Sequence, residues 1–211
     1  MIEPILGEGG VIPVSAAFFQ AVRRVCDKHG ALMIADEIQT GMGHTGALLA
    51  SNALGAQPDI VVLAKALGSG VPIGAFLMRG VAAEALAAGD HGSTFGGNYL
   101  ASAAAYYVTC KLTDTDILAY VNAMGEYFMG RLNALMTKLP VIVSVRGRGL
   151  MLGAELSPSI SAAAVKKALL ERGFLIATAG ENTLRFLPPY VIRKEHIDSL
   201  IDVLETTLTD I

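Results

Sequence analysis

The chain has 211 residues, 53% of them hydrophobic and 17% charged, and its 16 Lys+Arg against 19 Asp+Glu leave a formal charge of -3. A disordered segment would be poorer in apolar residues and a nucleic-acid binder richer in basic ones, so neither class fits. Every apolar run is broken by a charge, Gly or Pro before the roughly 18 residues of a bilayer span, so no membrane helix is expected. Met1 to Gly10 carries Glu3 and Glu8 and no basic stretch, unlike a secretory leader, and a cytoplasmic protein is expected. Cys26 and Cys110 stand apart, and His29, His44, His91 and His196 are scattered. Neither a disulfide frame nor a metal site is expected from such spacing.

In chain order, Met1 to Ile5 is already strand-like, as though the chain begins within a fold. Ser15 is a plausible N-cap for a helix to Lys28, with Phe18, Val22, Val25 and Cys26 at helical spacing. Ala31 to Ala35 and Asp59 to Ala64 lack polar alternation, which predicts strands covered on both faces in a parallel sheet, and Ile73 to Met78 reads as a third strand. Leu100 to Leu112 and Asp116 to Leu139 read as long helices. The second carries Ile117, Tyr120, Val121, Met124, Phe128, Leu132 and Leu135 at spacings of three and four. Strands are expected at 141–145 and 150–156, and a helix opening at Ser157-Pro158 and running to about Arg172. Strands at 174–177 and 183–187 and an amphipathic helix at 194–208 close the chain. The pattern is that of an α/β part to about residue 115, followed by a smaller α+β part from 116 to 211.

Asp36 and Glu37 end the first buried run, at the edge where open α/β sheets bind ligands. Asp36 could equally cap the next turn. A nucleotide-binding reading of this strand fails for want of a G-x-x-x-x-G-K-[ST] segment. Lys65 ends the second run, with no charge between Asp59 and Arg79 to pair with it. It either snorkels to water or is desolvated, and a desolvated amine is a nucleophile that forms an imine with a carbonyl. A carboxylate and such a lysine at neighbouring strand ends are what pyridoxal phosphate requires. At about 4 Å and an effective dielectric near 20, the carboxylate would favour a protonated pyridine nitrogen by roughly 4 kcal/mol. Ser93 and Thr94, among three glycines ahead of a helix, suit either a phosphate or a capped turn. Gly7-Glu8-Gly9-Gly10 is a flexible turn or a ligand loop. Arg185 alternates away from Leu184 and Phe186, and is either a surface residue or a fork for a carboxylate. Arg146 and Arg148 read as turn and domain-contact residues.

Taken together, Glu3 to Gly10, Asp36 to Gly41, Ala64 to Gly68, Gly89 to Asn98 and Leu184 to Phe186 resemble blocks of the class III, or subgroup II, aminotransferases, most closely the acetylornithine branch. The likeness runs from Met1 to the final helix. It implies PLP fold type I, the aspartate aminotransferase-like fold. Residues 1–115 would be the carboxyl-terminal part of the large domain with its parallel or mixed sheet, and 116–211 the small domain. It implies pyridoxal 5'-phosphate as cofactor, with Lys65 holding its aldehyde and Asp36 its pyridine nitrogen. Gln39 would meet the ring hydroxyl, and Thr94 beside Ser93 the cofactor phosphate of a partner subunit, in a homodimer. Arg185 would grip the substrate α-carboxylate, with Glu8 pairing it until some substrates release it. The implied reaction moves the terminal amine of N-acetylornithine to 2-oxoglutarate, giving glutamate, in arginine biosynthesis, with Lys65 as acid/base. His44 and Tyr99 stand where the family usually has Arg and Pro. Family members also carry, ahead of the segment matching Met1, on the order of 150 further residues with a phosphate loop and a ring-stacking aromatic. The chain alone is therefore expected to be inactive. The rival readings are a non-catalytic fragment that associates through an exposed sheet edge, a succinylornithine, ornithine or 4-aminobutyrate aminotransferase, and another pyridoxal chemistry such as decarboxylation or racemisation.

Overall fold

A computed structural model describes residues 1–210. Among them the order is β1 (Ile5–Leu6), β2 (Ile12–Pro13), α1 (Ala16–His29), β3 (Ile34–Asp36), β4 (Ile60–Leu63), β5 (Ala75–Met78), α2 (Tyr99–Thr113), α3 (Ile117–Lys138), β6 (Ile142–Arg148), β7 (Met151–Leu156), α4 (Ala162–Glu171), β8 (Ala177–Ala179), β9 (Thr183–Phe186) and α5 (Lys194–Asp210). Two compact units result. One holds Met1–Pro4, Val14–Gly43 and Ala47–Leu118; the other holds Ile5–Pro13, His44–Gly46 and the described residues from Ala119 on. No described helix is long and apolar enough to cross a membrane.

In the first unit, Ser15 caps α1 by accepting the Phe18 N–H at 3.1 Å. Gly30, at φ 64°, turns the chain out of α1 where an L side chain would be strained. The sheet has the order β3-β4-β5, with β3 and β4 parallel and β4 and β5 antiparallel. Ile2 adds a parallel bridge to Ala35. The first strand starts three residues later than Ala31, because Met33 meets Asp59 instead: the Met33 N–H donates to the Asp59 carboxylate at 2.7 Å. Arg23 pairs with the same carboxylate at 2.6 Å. Burial pushes the Asp59 carboxyl up, but the Met33 N–H and the Arg23 guanidinium outweigh it and hold it below the usual range. The expected two-sided cover is not seen within this chain: β3 and β4 bury only alternate residues (Ala35, Val61 and Leu63), and Phe76 and Leu77 of β5 are 43% and 53% exposed.

The second unit is an antiparallel sheet of order β6-β7-β9-β8 with α3, α4 and α5 packed around one core. The predicted stripe of α3 buries Val121, Met124, Phe128, Leu132 and Leu135, while α5 buries Ile197, Leu200, Ile201, Leu204 and Leu208. The rings of Phe128 and Phe186 lie 5.2 Å apart in that core. Two elements sit elsewhere than the sequence suggests. The fourth helix opens at Ala162 behind Ser161, not at Ser157-Pro158. Asn182 explains this: its amide donates to the carbonyls of Leu156, Ser157 and Ile160, and its oxygen accepts the Ala162 N–H at 2.7 Å. The Ser157 segment is thereby held as a turn. The strand expected at 174–177 lies at Ala177–Ala179, since the Phe174 N–H bonds back to Leu169 and closes the helix end. Phe174 and Ile176 pack against the core instead. The His44 ring lies tilted against Tyr190, 4.5 Å between ring centres, and shares a 3.0 Å hydrogen bond with its hydroxyl. Burial lowers the pKa of His44, against an opposing hydrogen bond to the Pro188 carbonyl, and raises that of Tyr190 to about 12.

Candidate active site

The parallel register pairs Asp36 of β3 with Val62 of β4, and Lys65 follows three residues beyond Val62. Both side chains therefore leave the carboxyl ends of adjacent parallel strands, whose backbones run roughly 4.8 Å apart. Asp36 Oδ1 accepts the Ile38 N–H at 3.0 Å, which is the turn-capping role, and Oδ2 has no hydrogen bond among the described residues. Capping and ligand binding are thus compatible, one oxygen for each.

Lys65 is solvent-exposed, the snorkelling alternative rather than the desolvated one. Its backbone is unusual: β4 stops at Leu63, Ala64 stays extended, and Lys65 takes φ 49° before a single 3-10 turn to Leu67. Non-glycine residues seldom occupy that region, and such strain gathers at functional sites. Lys65 lines an open cavity of about 420 Å³ with Gly70, Val71, Pro72 and Ile73, and no carboxylate among the described residues pairs with its ammonium.

Glu37 lies on the opposite side of the strand end from Asp36, as the two-residue alternation of β structure requires. It is 1% exposed. Its carboxylate accepts from the Thr40 hydroxyl at 2.6 Å and from the Ala50 and Ser51 N–H groups at 3.0 and 2.7 Å. It thereby ties the turn that carries half-buried Gln39 to the 3-10 helix Ala50–Leu54. The adjacency of two carboxylates at a strand end marks the pair in the sequence but does not by itself divide their duties.

Ser93 and Thr94 lie in an exposed loop. Ser93 Oγ accepts the Gly96 N–H at 3.1 Å, and Asn98 caps α2 by accepting the Ala101 N–H at 3.0 Å. The turn-and-cap description holds, and it leaves the Thr94 hydroxyl without a partner among the described residues.

In the second unit, Arg185 sits on β9 opposite Gly153 of β7 and Ala177 of β8. Two small neighbours leave room for a guanidinium between them. Its side chain is 13% exposed and pairs with Glu8, 70% exposed, at 2.6 Å. Arg185 also borders an apolar cavity of about 370 Å³ that includes Phe128, Phe186 and Leu200.

Comparison with known proteins meets this geometry from another side. A family model described as aminotransferase class-III matches residues 1–208. The chain belongs to the class-III aminotransferases. An acetylornithine aminotransferase of Methanocaldococcus jannaschii is 46% identical over 211 residues, 100% of this chain and 52% of that protein. The crystal structure of N-acetylornithine aminotransferase from Stenotrophomonas maltophilia K279a superposes with a TM-score of 0.88 at 40% identity, covering 99% of this chain and 55% of that one. An ornithine aminotransferase of Toxoplasma gondii, in a structure with partial occupancy of PLP at its active site, reaches 0.90 at 36% identity, covering 99% and 50%. The chain thus spans about half the length of the curated relatives it matches. The fold is PLP fold type I, and the cofactor of this family is pyridoxal phosphate. The donor set present fits that group: an amine without an ion-pair partner at one strand end and a carboxylate oxygen without a hydrogen bond at the next.

Proposed function

We propose that the protein transfers an amino group from N-acetylornithine, or a related ω-amino donor, to 2-oxoglutarate, in a homodimer. The observation that carries this reading is the exit of Lys65 and Asp36 from adjacent parallel strands at one sheet edge. When bound, pyridoxal phosphate supplies an electron sink for the carbon that loses its proton. The residues of this chain do the rest. Lys65 Nζ would hold the cofactor aldehyde and would serve as the acid and base that moves the substrate proton. Asp36 Oδ2 keeps a positive charge on the pyridine nitrogen, and Gln39 meets the ring hydroxyl. Ser93 and Thr94 donate hydroxyls to the phosphate held in a partner subunit, a role their exposure supports. Arg185 binds the α-carboxylate of the oxoacid when Glu8 releases it. Residues 1–115 are assigned to the large domain and 116–211 to the small one.

The test uses the protein at full family length, loaded with cofactor. Lys65→Ala is expected to lower amino transfer by at least roughly 10²–10⁴-fold, the range of acid–base catalysis alone, and to abolish the absorbance of the lysine-bound cofactor. Retained turnover would overturn the assignment. Relatives named for acetylornithine support that donor; the likeness to an ornithine aminotransferase keeps ornithine as the second candidate. Product analysis with each donor separates them.

A further inference from the structure

The Glu8 loop is held with unusual firmness for a segment so rich in glycine. It joins β1 to β2, and its backbone is fixed at several points. The Gly180 N–H donates to the Glu8 carbonyl at 2.7 Å. Arg146 Nε donates to the Gly10 carbonyl at 2.9 Å. Val11 is fully buried and has φ 54°, a conformation that is an outlier for a β-branched residue. A Cβ on Gly153 would come within 2.9 Å of the Val11 Cβ, so the loop packs directly on the sheet. Arg146 is itself oriented on three sides, by Ser144 and Glu155 at Nη1 and by Thr183 at Nη2, 3.1 Å away. The Glu8 side chain stays 70% exposed while it pairs with Arg185.

We propose that Arg146 is a positioning residue for the Glu8–Arg185 pair. By holding the Gly10 carbonyl it fixes the loop so that the Glu8 carboxylate meets the guanidinium, and the pair opens by rotation of the Glu8 side chain into water while the loop stays in place. This rests on the reading that Arg185 receives a substrate carboxylate. If so, Arg146 sets how strongly Glu8 competes with the 2-oxoacid and thereby helps to choose between the two substrates of the reaction.

The experiment compares Arg146→Met, Arg146→Lys, Glu8→Gln and Arg185→Lys in the full-length, cofactor-loaded protein. Removing a competing carboxylate worth up to about 1 kcal/mol lowers the KM for 2-oxoglutarate about two- to fivefold. Glu8→Gln and Arg146→Met are expected to share that shift, and Arg146→Lys to fall between them and wild type. A second readout is independent of turnover: in crystals of cofactor-free Arg146→Met, the contact between Arg185 and Glu8 should be lost. If that contact persists, or if Arg146→Met lowers Tm while leaving the KM for 2-oxoglutarate at the wild-type value, the proposal falls. Should Arg146→Met fail to fold, Thr183→Val, which removes one support of the guanidinium, is read in the same two ways. Arg185→Lys separates the layers: an unchanged 2-oxoglutarate KM there would overturn the role of Arg185 itself, whatever Arg146 does to the loop.

Discussion

Replacing Glu37 by Ala removes the acceptor of three hydrogen bonds at once and leaves the N–H groups of Ala50 and Ser51 buried without it. Groups stranded in this way destabilise a fold by about 1–3 kcal/mol each. The expected outcome is a lower urea midpoint with the m-value unchanged; a midpoint equal to wild type would show that water replaces the carboxylate. At this scale the sequence was legible in type more than in circumstance. Asp36 and Lys65 stood out because a carboxylate and an amine end two apolar runs. Solvent access to Lys65 depends on what packs above it, and four apolar neighbours in a row carry no information about that. The contact of Glu8 with Arg185 spans 177 positions and was suggested by family likeness alone, since no local pattern links residues so distant.

Among the elements, the serine-capped helix α1 and the long stripe of α3 could be read directly, because a serine cap and a period of 3.6 are local properties, but the face of α1 could not: Phe18 and Val25 are 53% and 58% exposed and Phe19 is buried instead. The antiparallel course of β5 could not, since strand direction is decided by the partner and leaves no trace in an apolar run. Nor could the position of α4, which depends on an asparagine twenty residues downstream. Three shifted groups packed into these elements predict a two-stage response to acid. His44 has its folded pKa below the ordinary 6.5, so the unfolded chain takes up that proton first as pH falls. Its contribution to stability is complete above pH 6.5 and is lost as pH drops through the folded value. Asp59 and Glu155 are held below 3.8 and 4.5, the latter by hydrogen bonds from Arg146 and Ser144, and their contributions disappear only in stronger acid. Urea midpoints measured from pH 8 to pH 3 should fall in both ranges. His44→Phe, which keeps a ring against Tyr190, should remove the upper stage alone; a wild-type midpoint that is flat from pH 7 to pH 5 would contradict the assignment.

For the whole molecule, the measured share of its relatives' length governs what residues 1–211 can be expected to do alone. We expect a titration of this chain with pyridoxal phosphate to give no amino-transfer turnover, and a visible lysine-bound cofactor band with turnover, absent in Lys65→Ala, would refute that. Association is expected as well. In the first unit Phe95, just before α2, and Tyr99, Leu100 and Tyr106 of α2 are 82%, 96%, 71% and 74% exposed, and large apolar side chains left exposed commonly mark a contact surface. Sedimentation should show species larger than one chain; a monodisperse monomer would count against an associating surface.

The threading of the two units has a consequence for biosynthesis. The backbone passes from one to the other after Pro4, Pro13, Gly43, Gly46 and Leu118, so neither can be excised as a single contiguous piece. The hairpin that bears Glu8 leaves the ribosome before the guanidinium that fastens it, which is encoded 136 residues later. At ordinary translation speeds that interval is on the order of ten seconds. Throughout it Val11 lacks the strand that carries Gly153 to sit on, and the two strands of the hairpin must be kept from pairing elsewhere.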